Sequence, residues 1–196
     1  MGKSEETSKY ILKKVAPIFN RKGYHGTSMS DITEATGLTK GAIYGNFKDK
    51  EELSLKSFQY IIRKIMWAIG DAVNAVDNHA DKLSTIVSFY RAHLQRTKEY
   101  GGCPIMCKGL DSLHIHPSLM QEVSRITQKI LASIVEIIDD GKNAKEIVTA
   151  VDSHMLASEI YCQIDGGLYL AMILDDRVHL DEALNRIEKR IQEVRV

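Results

Sequence analysis

Apolar side chains recur three or four positions apart along almost the whole of this chain, a cadence that admits little besides α-helix. Ile11, Leu12, Val15, Ile18 and Phe19 share one helical stripe, and Leu55, Phe58, Ile61, Ile62, Ile65, Met66, Ile69, Val73 and Val76 share another. Only 3 prolines and 13 glycines punctuate 196 residues, and alternating β-branched runs are scarce, so strands have little to start from. At 44% hydrophobic, a chain of this length buries a substantial core. No apolar run reaches the roughly 20 residues that span a bilayer, and the opening residues are charged, unlike a secretion signal. The expectation is a cytoplasmic protein with no membrane partner. Its 3 cysteines, an odd number, are expected as reduced thiols rather than a disulfide framework.

The first helix is expected over Glu5–Lys22, bent at Pro17, where a backbone donor is missing, and stopped by Gly23. Ser28 and Asp31 have capping-box spacing for a short helix ending at Thr36, and Gly37 suits a left-handed turn. Thr39 is positioned to cap a third helix, Lys40–Phe47, and Asp49 a fourth. Two short helices joined by a glycine turn and packed on a longer one make a helix-turn-helix. Charge does not decide the partner: the net is zero, with 9 Lys/Arg against 7 Asp/Glu over residues 1–53 and 17 against 19 over the rest.

The run from Thr27 to Leu53, TSMSDITEATGLTKGAIYGNFKDKEEL, preceded by Phe19 and Gly23-Tyr24, resembles the signature of the TetR/AcrR family of transcriptional regulators. It covers about the first quarter of the chain. The resemblance implies an all-α fold of about nine helices, with a three-helix DNA-binding domain over 1–50 and a larger effector-binding and dimerisation domain over 51–196. It also implies DNA contacts from Thr27, Thr39, Lys40, Tyr44, Asn46 and Lys50. Ser28 joins these, as do Gly41 and Ala42, whose small side chains let a helix N-terminus approach phosphate. Ile43 and Phe47 belong to the core. Thr39 has a second reading as a cap alone, and Lys50 as a solvated charge. Thr33 and Thr36 stand where the family usually has alanine, so their hydroxyls need partners, and Asn46 stands where histidine is frequent.

Beyond Leu53 the periodicity gives helices to about Val76, over Ala80–Tyr100, from Pro117 to Ile138 with Gly141 closing it, and over Ser153–Leu174 and Asp181–Val194. Leu156, Ile160, Ile164 and Leu168 on one of the last two, and Leu184, Ile187 and Ile191 on the other, are expected to close a four-helix bundle between two copies. A homodimer doubles the base contacts of one short reading helix and matches an inverted-repeat operator.

For a small-molecule effector, an apolar pocket is expected, walled by Trp67, Tyr90, Met106, Met120 and Tyr161 and oriented by His93, His114 or Asp165. The segment Gly101–Met106 with Cys107 resembles one found in a branch of the same family. Cys103 and Cys107 are either small buried hydrophobes or, at a helix start, thiols that sense oxidants or electrophiles, with Cys103 the candidate ligand-site residue. No cofactor or metal is expected, because His114, His116 and His154 lack zinc-site spacing. The expected function is a ligand-responsive regulator of repressor sign that binds a palindromic operator and releases it on taking up an effector. The thiol sensor is its alternative, and a DNA-independent helical module or an enzyme the more distant ones. No catalytic motif favours the enzyme.

Overall fold

The computed structural model describes residues 3–113 and 117–196. These form α1 (Lys3–Gly26), α2 (Met29–Thr36), α3 (Lys40–Tyr44), α4 (Lys50–Asn74), α5 (His79–Tyr100), α6 (Pro104–Ser112), α7 (Pro117–Asn143), α8 (Ser153–Ile173) and α9 (Val178–Val194). Among the described residues the β pairing is confined to an isolated bridge between Ile147 and Arg195. The all-helical expectation holds. No described helix is long and apolar enough to cross a membrane.

Packing divides the chain into two compact units, Met1–Met66 with Glu99–Gln121, and Trp67–Lys98 with Glu122–Val196. In the first, Ile11, Val15 and Phe19 of α1 meet Ile32 of α2, Ile43 of α3, Phe47 and Leu53 in one buried cluster. Burial of a side chain of this size contributes about 1.5–3 kcal/mol, so the short helices α2 and α3, too short to persist alone, are held by their buried anchors Ile32 and Ile43, with Met29 packed against the same cluster. Helix α6 lies against α1 in the same unit. The chain reaches it through Gly101 and Gly102, both at positive φ (84° and 125°), and a Cβ on Gly101 would fall 2.1 Å from Arg21 Cγ. Only glycine permits that approach.

In the second unit α8 and α9 pack along each other. A Cβ on Gly167 would lie 2.9 Å from the Ala183 Cβ and 3.2 Å from the Leu180 Cα, so the absence of a side chain sets how closely these helices meet. Leu156, Ile160, Ile164, Leu168, Leu184, Ile187 and Ile191 are all 3% exposed or less. They form the interior of one chain and not a surface between two, which corrects the dimer assignment made from periodicity. The stripe marks what each helix buries, and within the unit α8 and α9 bury these faces themselves. The apolar residues α8 leaves exposed lie elsewhere on it, Met155 at 73% and Ile173 at 65%, with Tyr169 and Leu170.

Two boundaries also differ from expectation. Helix α7 continues through Gly141 to Asn143; the glycine is there because a Cβ would collide with the Ile147 side chain at 2.6 Å and the His79 Cβ at 2.9 Å, and the chain turns instead at Lys145, φ 60°. Beyond α5 the periodicity gives no helix before Pro117, whereas Pro104 opens α6, occupying its first turn, where its missing amide costs nothing.

Candidate nucleic-acid interface

The site is built from α2, the turn after it and α3. Ser28 caps α2 by accepting from Asp31 N–H at 3.1 Å, while the Asp31 carboxylate accepts from Ser28 N–H at 2.7 Å. Lys22 donates to the same carboxylate at 2.6 Å. The Lys22 ammonium, followed by the Ser28 backbone and hydroxyl, holds the Asp31 carboxyl well below the usual carboxylate range. Gly37 closes the helix in the left-handed conformation (φ 66°), donating to Thr33 C=O at 2.8 Å. The hydroxyls that depart from the family pattern are satisfied locally: Thr33 donates to Ser30 C=O at 3.0 Å and buried Thr36 to Ile32 C=O at 2.7 Å. Tyr10 caps the same end through Thr36 C=O at 2.9 Å.

Thr39 caps α3, its hydroxyl accepting from Ala42 N–H at 3.2 Å. The helical path continues one turn past Tyr44, with Asn46 and Phe47 donating to Ile43 C=O at 3.0 and 3.1 Å. Ile43 and Phe47 point inward, as expected, leaving Thr39, Lys40, Gly41 and Tyr44 exposed and Ala42 half-buried. Among the described residues, only the Thr39 hydroxyl, at 4.0 Å, would touch a Cβ on Gly41. Lys40 Nζ stands 5.9 Å from the Tyr44 ring centre, which places a cation and an aromatic ring together on that face.

Three of the expected DNA contacts are committed inside the protein. Thr27 is 0% exposed and donates its hydroxyl to Gly23 C=O at 2.7 Å; a buried side chain cannot reach a phosphate, and that assignment is corrected. Asn46 accepts from Ser8 at 2.9 Å and donates to Ala42 C=O at 2.9 Å, tying α1 to the end of α3. Lys50 Nζ sits 4.4 Å over the Tyr24 ring, and burial pushes its amine down against the opposing pull of Asp111 and Asp31.

The effector candidates scatter. Trp67, expected as a pocket wall, is 71% exposed on the outer side of α4. Tyr90, His93, Tyr161 and Asp165 are half-buried in one unit, and Cys103, Met106 and Met120 in the other. His93 stacks on Phe89 with centroids 4.1 Å apart and is hydrogen-bonded through Nδ1 to Phe89 C=O at 2.8 Å. His114 lies outside the described residues. Cys107 contacts Gly101 C=O at 3.6 Å, and burial pushes its thiol up, which works against a reactive thiolate. Among the described residues no group of three or more His, Cys, Asp or Glu is placed to hold a metal.

Sequence reasoning missed the polar residues that tie α6 to α1. Lys108 is buried and donates to Phe19 C=O at 2.7 Å, Asp111 accepts from Tyr24 N–H at 2.7 Å, and Asn20 donates to Tyr100 and Gly102 C=O at 2.8 and 3.1 Å. The signal for them is a Lys-Asp pair three apart in a short, otherwise mostly apolar segment.

Comparison with known proteins agrees with this geometry. Residues 11–55 match the family model for bacterial regulatory proteins of the tetR family, and residues 80–187 that for the tetracyclin repressor-like C-terminal domain. A TetR transcriptional regulator from Chloroflexus aurantiacus J-10-FL superimposes with a TM-score of 0.94 at 31% identity, covering 100% of both chains. A TetR-family regulator from Cytophaga hutchinsonii gives a TM-score of 0.92 at 28% identity over 100% of this chain and 98% of the other. The HTH-type transcriptional regulator LmrA of Bacillus subtilis (strain 168) is 24% identical over 92% of this chain and 95% of its own. With most of its length matched by the two models and its whole length by a solved relative, the chain belongs to the TetR family of bacterial transcriptional regulators.

Proposed function

We propose that this regulator is a cytoplasmic repressor that binds an inverted-repeat operator as a homodimer and releases it when a small molecule binds the helical region beyond residue 50. The observation that carries the reading is α3: anchored from beneath by Ile43, it presents Thr39, Lys40, Gly41 and Tyr44 outward, and among the described residues only the Thr39 hydroxyl comes near a Cβ on Gly41. Such a face suits entry into a major groove, Lys40 toward a guanine edge or phosphate and Tyr44 toward phosphate. Ser28, Ala42, Asn46 and Lys50 support the face more than they extend it. The two-fold partner is a second copy seated on the exposed face of α8, where Met155, Cys162, Tyr169 and Ile173 recur at helical spacing. The effector is best sought among Tyr90, His93, Tyr161 and Asp165, which combine aromatic surface with orienting polar groups. In this division residues 1–50 read DNA and residues 51–196 sense and dimerise. The thiol-sensor reading is the weaker one, because burial disfavours the Cys107 thiolate.

The test is binding of the purified protein to duplex DNA flanking its own gene across salt concentrations. A dimer engaging phosphates through Lys40 of both copies neutralises about two, which gives a slope of log K against log salt near −1.8. Binding that ignores sequence, or that shows no salt slope, overturns the proposal.

A further inference from the structure

Gly23 interrupts α1 at φ 73°, ψ 179°. An interrupted helix leaves carbonyls unpaired before the break and amides unpaired after it. Here α6 supplies both complements. Buried Lys108 donates to Phe19 C=O at 2.7 Å on the near side, and one turn on Asp111 accepts from Tyr24 N–H at 2.7 Å on the far side, where the helix restarts. The two side chains lie 3.6 Å apart. Gly23 itself is fitted to this arrangement, since a Cβ there would stand 2.8 Å from Asp111 Oδ1. Asn20 fixes the start of α6 through Tyr100 and Gly102 C=O, and Lys50 covers the Tyr24 ring from α4.

The break leads directly into the DNA-reading element. Three residues, Tyr24–Gly26, connect it to buried Thr27, whose hydroxyl returns to Gly23 C=O, and then to the Ser28 cap of α2. The direction taken at Gly23 therefore decides where α2 and α3 sit on the Ile11–Val15–Phe19 stripe.

We infer that Lys108 and Asp111 of α6 are positioning residues for operator binding: they splice α1 at Gly23, and so fix the placement of α3 without touching DNA. The inference rests on the operator-binding reading above. An arrangement that bonds both sides of the break at once specifies an angle, whereas a single contact would specify only proximity.

The decisive variants of the full chain are Asp111→Ala and Lys108→Met, with Asp111→Asn as the conservative rescue, because an amide oxygen still accepts from Tyr24 N–H. Lys108→Met keeps most of the side-chain stem and gives an independent result should the alanine variant fold poorly. Two quantities are measured: amide hydrogen exchange at Tyr24 relative to Val15, and affinity for the operator duplex with its salt slope. Asp111→Ala is expected to speed Tyr24 exchange about tenfold with Val15 unchanged, and to weaken operator binding about tenfold at an unaltered slope. Lys108→Met should weaken binding likewise, and Asp111→Asn should recover most of the loss. Equal acceleration at Val15 and Tyr24 would mean general destabilisation, and a slope reduced by about two in Lys108→Met, one phosphate for each copy, a direct phosphate contact; either overturns the positioning role, as does unchanged affinity. A wild-type chain that binds no duplex sinks the operator reading instead, leaving the exchange comparison to judge the splice.

Discussion

Gly167→Ala should destabilise the protein although it places alanine, the best helix former, inside α8. The new Cβ would stand 2.9 Å from the Ala183 Cβ and 3.2 Å from the Leu180 Cα, against about 3.5–4.0 Å for a relaxed carbon contact. Leu180 Cα is backbone and cannot rotate away, so α8 and α9 must part by roughly half an ångström or more along a seam that buries Ile164, Leu168, Leu184 and Ile187. Overpacking of this kind costs about 1–3 kcal/mol, and the gain in helix propensity returns about 1 kcal/mol, leaving a net loss near 1 kcal/mol. Gly70 in α4 is the control: none of the described residues comes within 4 Å of a Cβ there, so Gly70→Ala should gain about 1 kcal/mol. At about 2–4 °C per kcal/mol for a chain of this size, the two variants should melt on opposite sides of wild type, several degrees apart. Calorimetry and urea unfolding at one fixed protein concentration read this directly. If Gly167→Ala rises with Gly70→Ala, the close approach of α8 and α9 is not what limits residue 167.

Two further expectations concern the DNA-reading helices. Thr39→Ala removes the hydroxyl that accepts Ala42 N–H and should cost about 1 kcal/mol, together with operator affinity, while Thr39→Ser should keep both; equal loss in Ala and Ser would point to the methyl group instead of the cap. Asp31 is held below its ordinary range by Lys22 and Ser28, so its stabilising contribution is present above the unfolded carboxylate value near pH 4 and fades as pH falls below it. Stability measured from pH 7 to pH 2.5 should therefore fall less steeply on the acid side for Asp31→Asn than for wild type, and parallel curves would refute the assignment.

Much of the first unit is legible in the sequence because its determinants are local. Ser28, Asp31, Gly37 and Thr39 act on backbone groups within four residues of themselves, so spacing alone announces them. Interiors are legible too, since periodicity reports which face is buried. It does not report against what. Periodicity alone sends the stripe from Leu156 to Ile191 to a partner, whereas the chain satisfies it internally. Thr27 fails as a contact because its burial depends on the break at Gly23, and the Lys108–Phe19 and Asp111–Tyr24 contacts span more than 80 residues, beyond the reach of any local pattern.

The discontinuous make-up of the first unit bears on how such regulators can be recombined. A chimera cut near residue 50, the natural seam in the sequence, would carry α1 to α3 into a foreign scaffold without Asn20's acceptors at Tyr100 and Gly102, and without the Lys108 and Asp111 side chains that bond Phe19 and Tyr24. The portable module is residues 1–66 together with 99–121. Grafts that transplant only the reading head should express as folded proteins with blunted operator selectivity, and restoring α6 from the donor should sharpen it again.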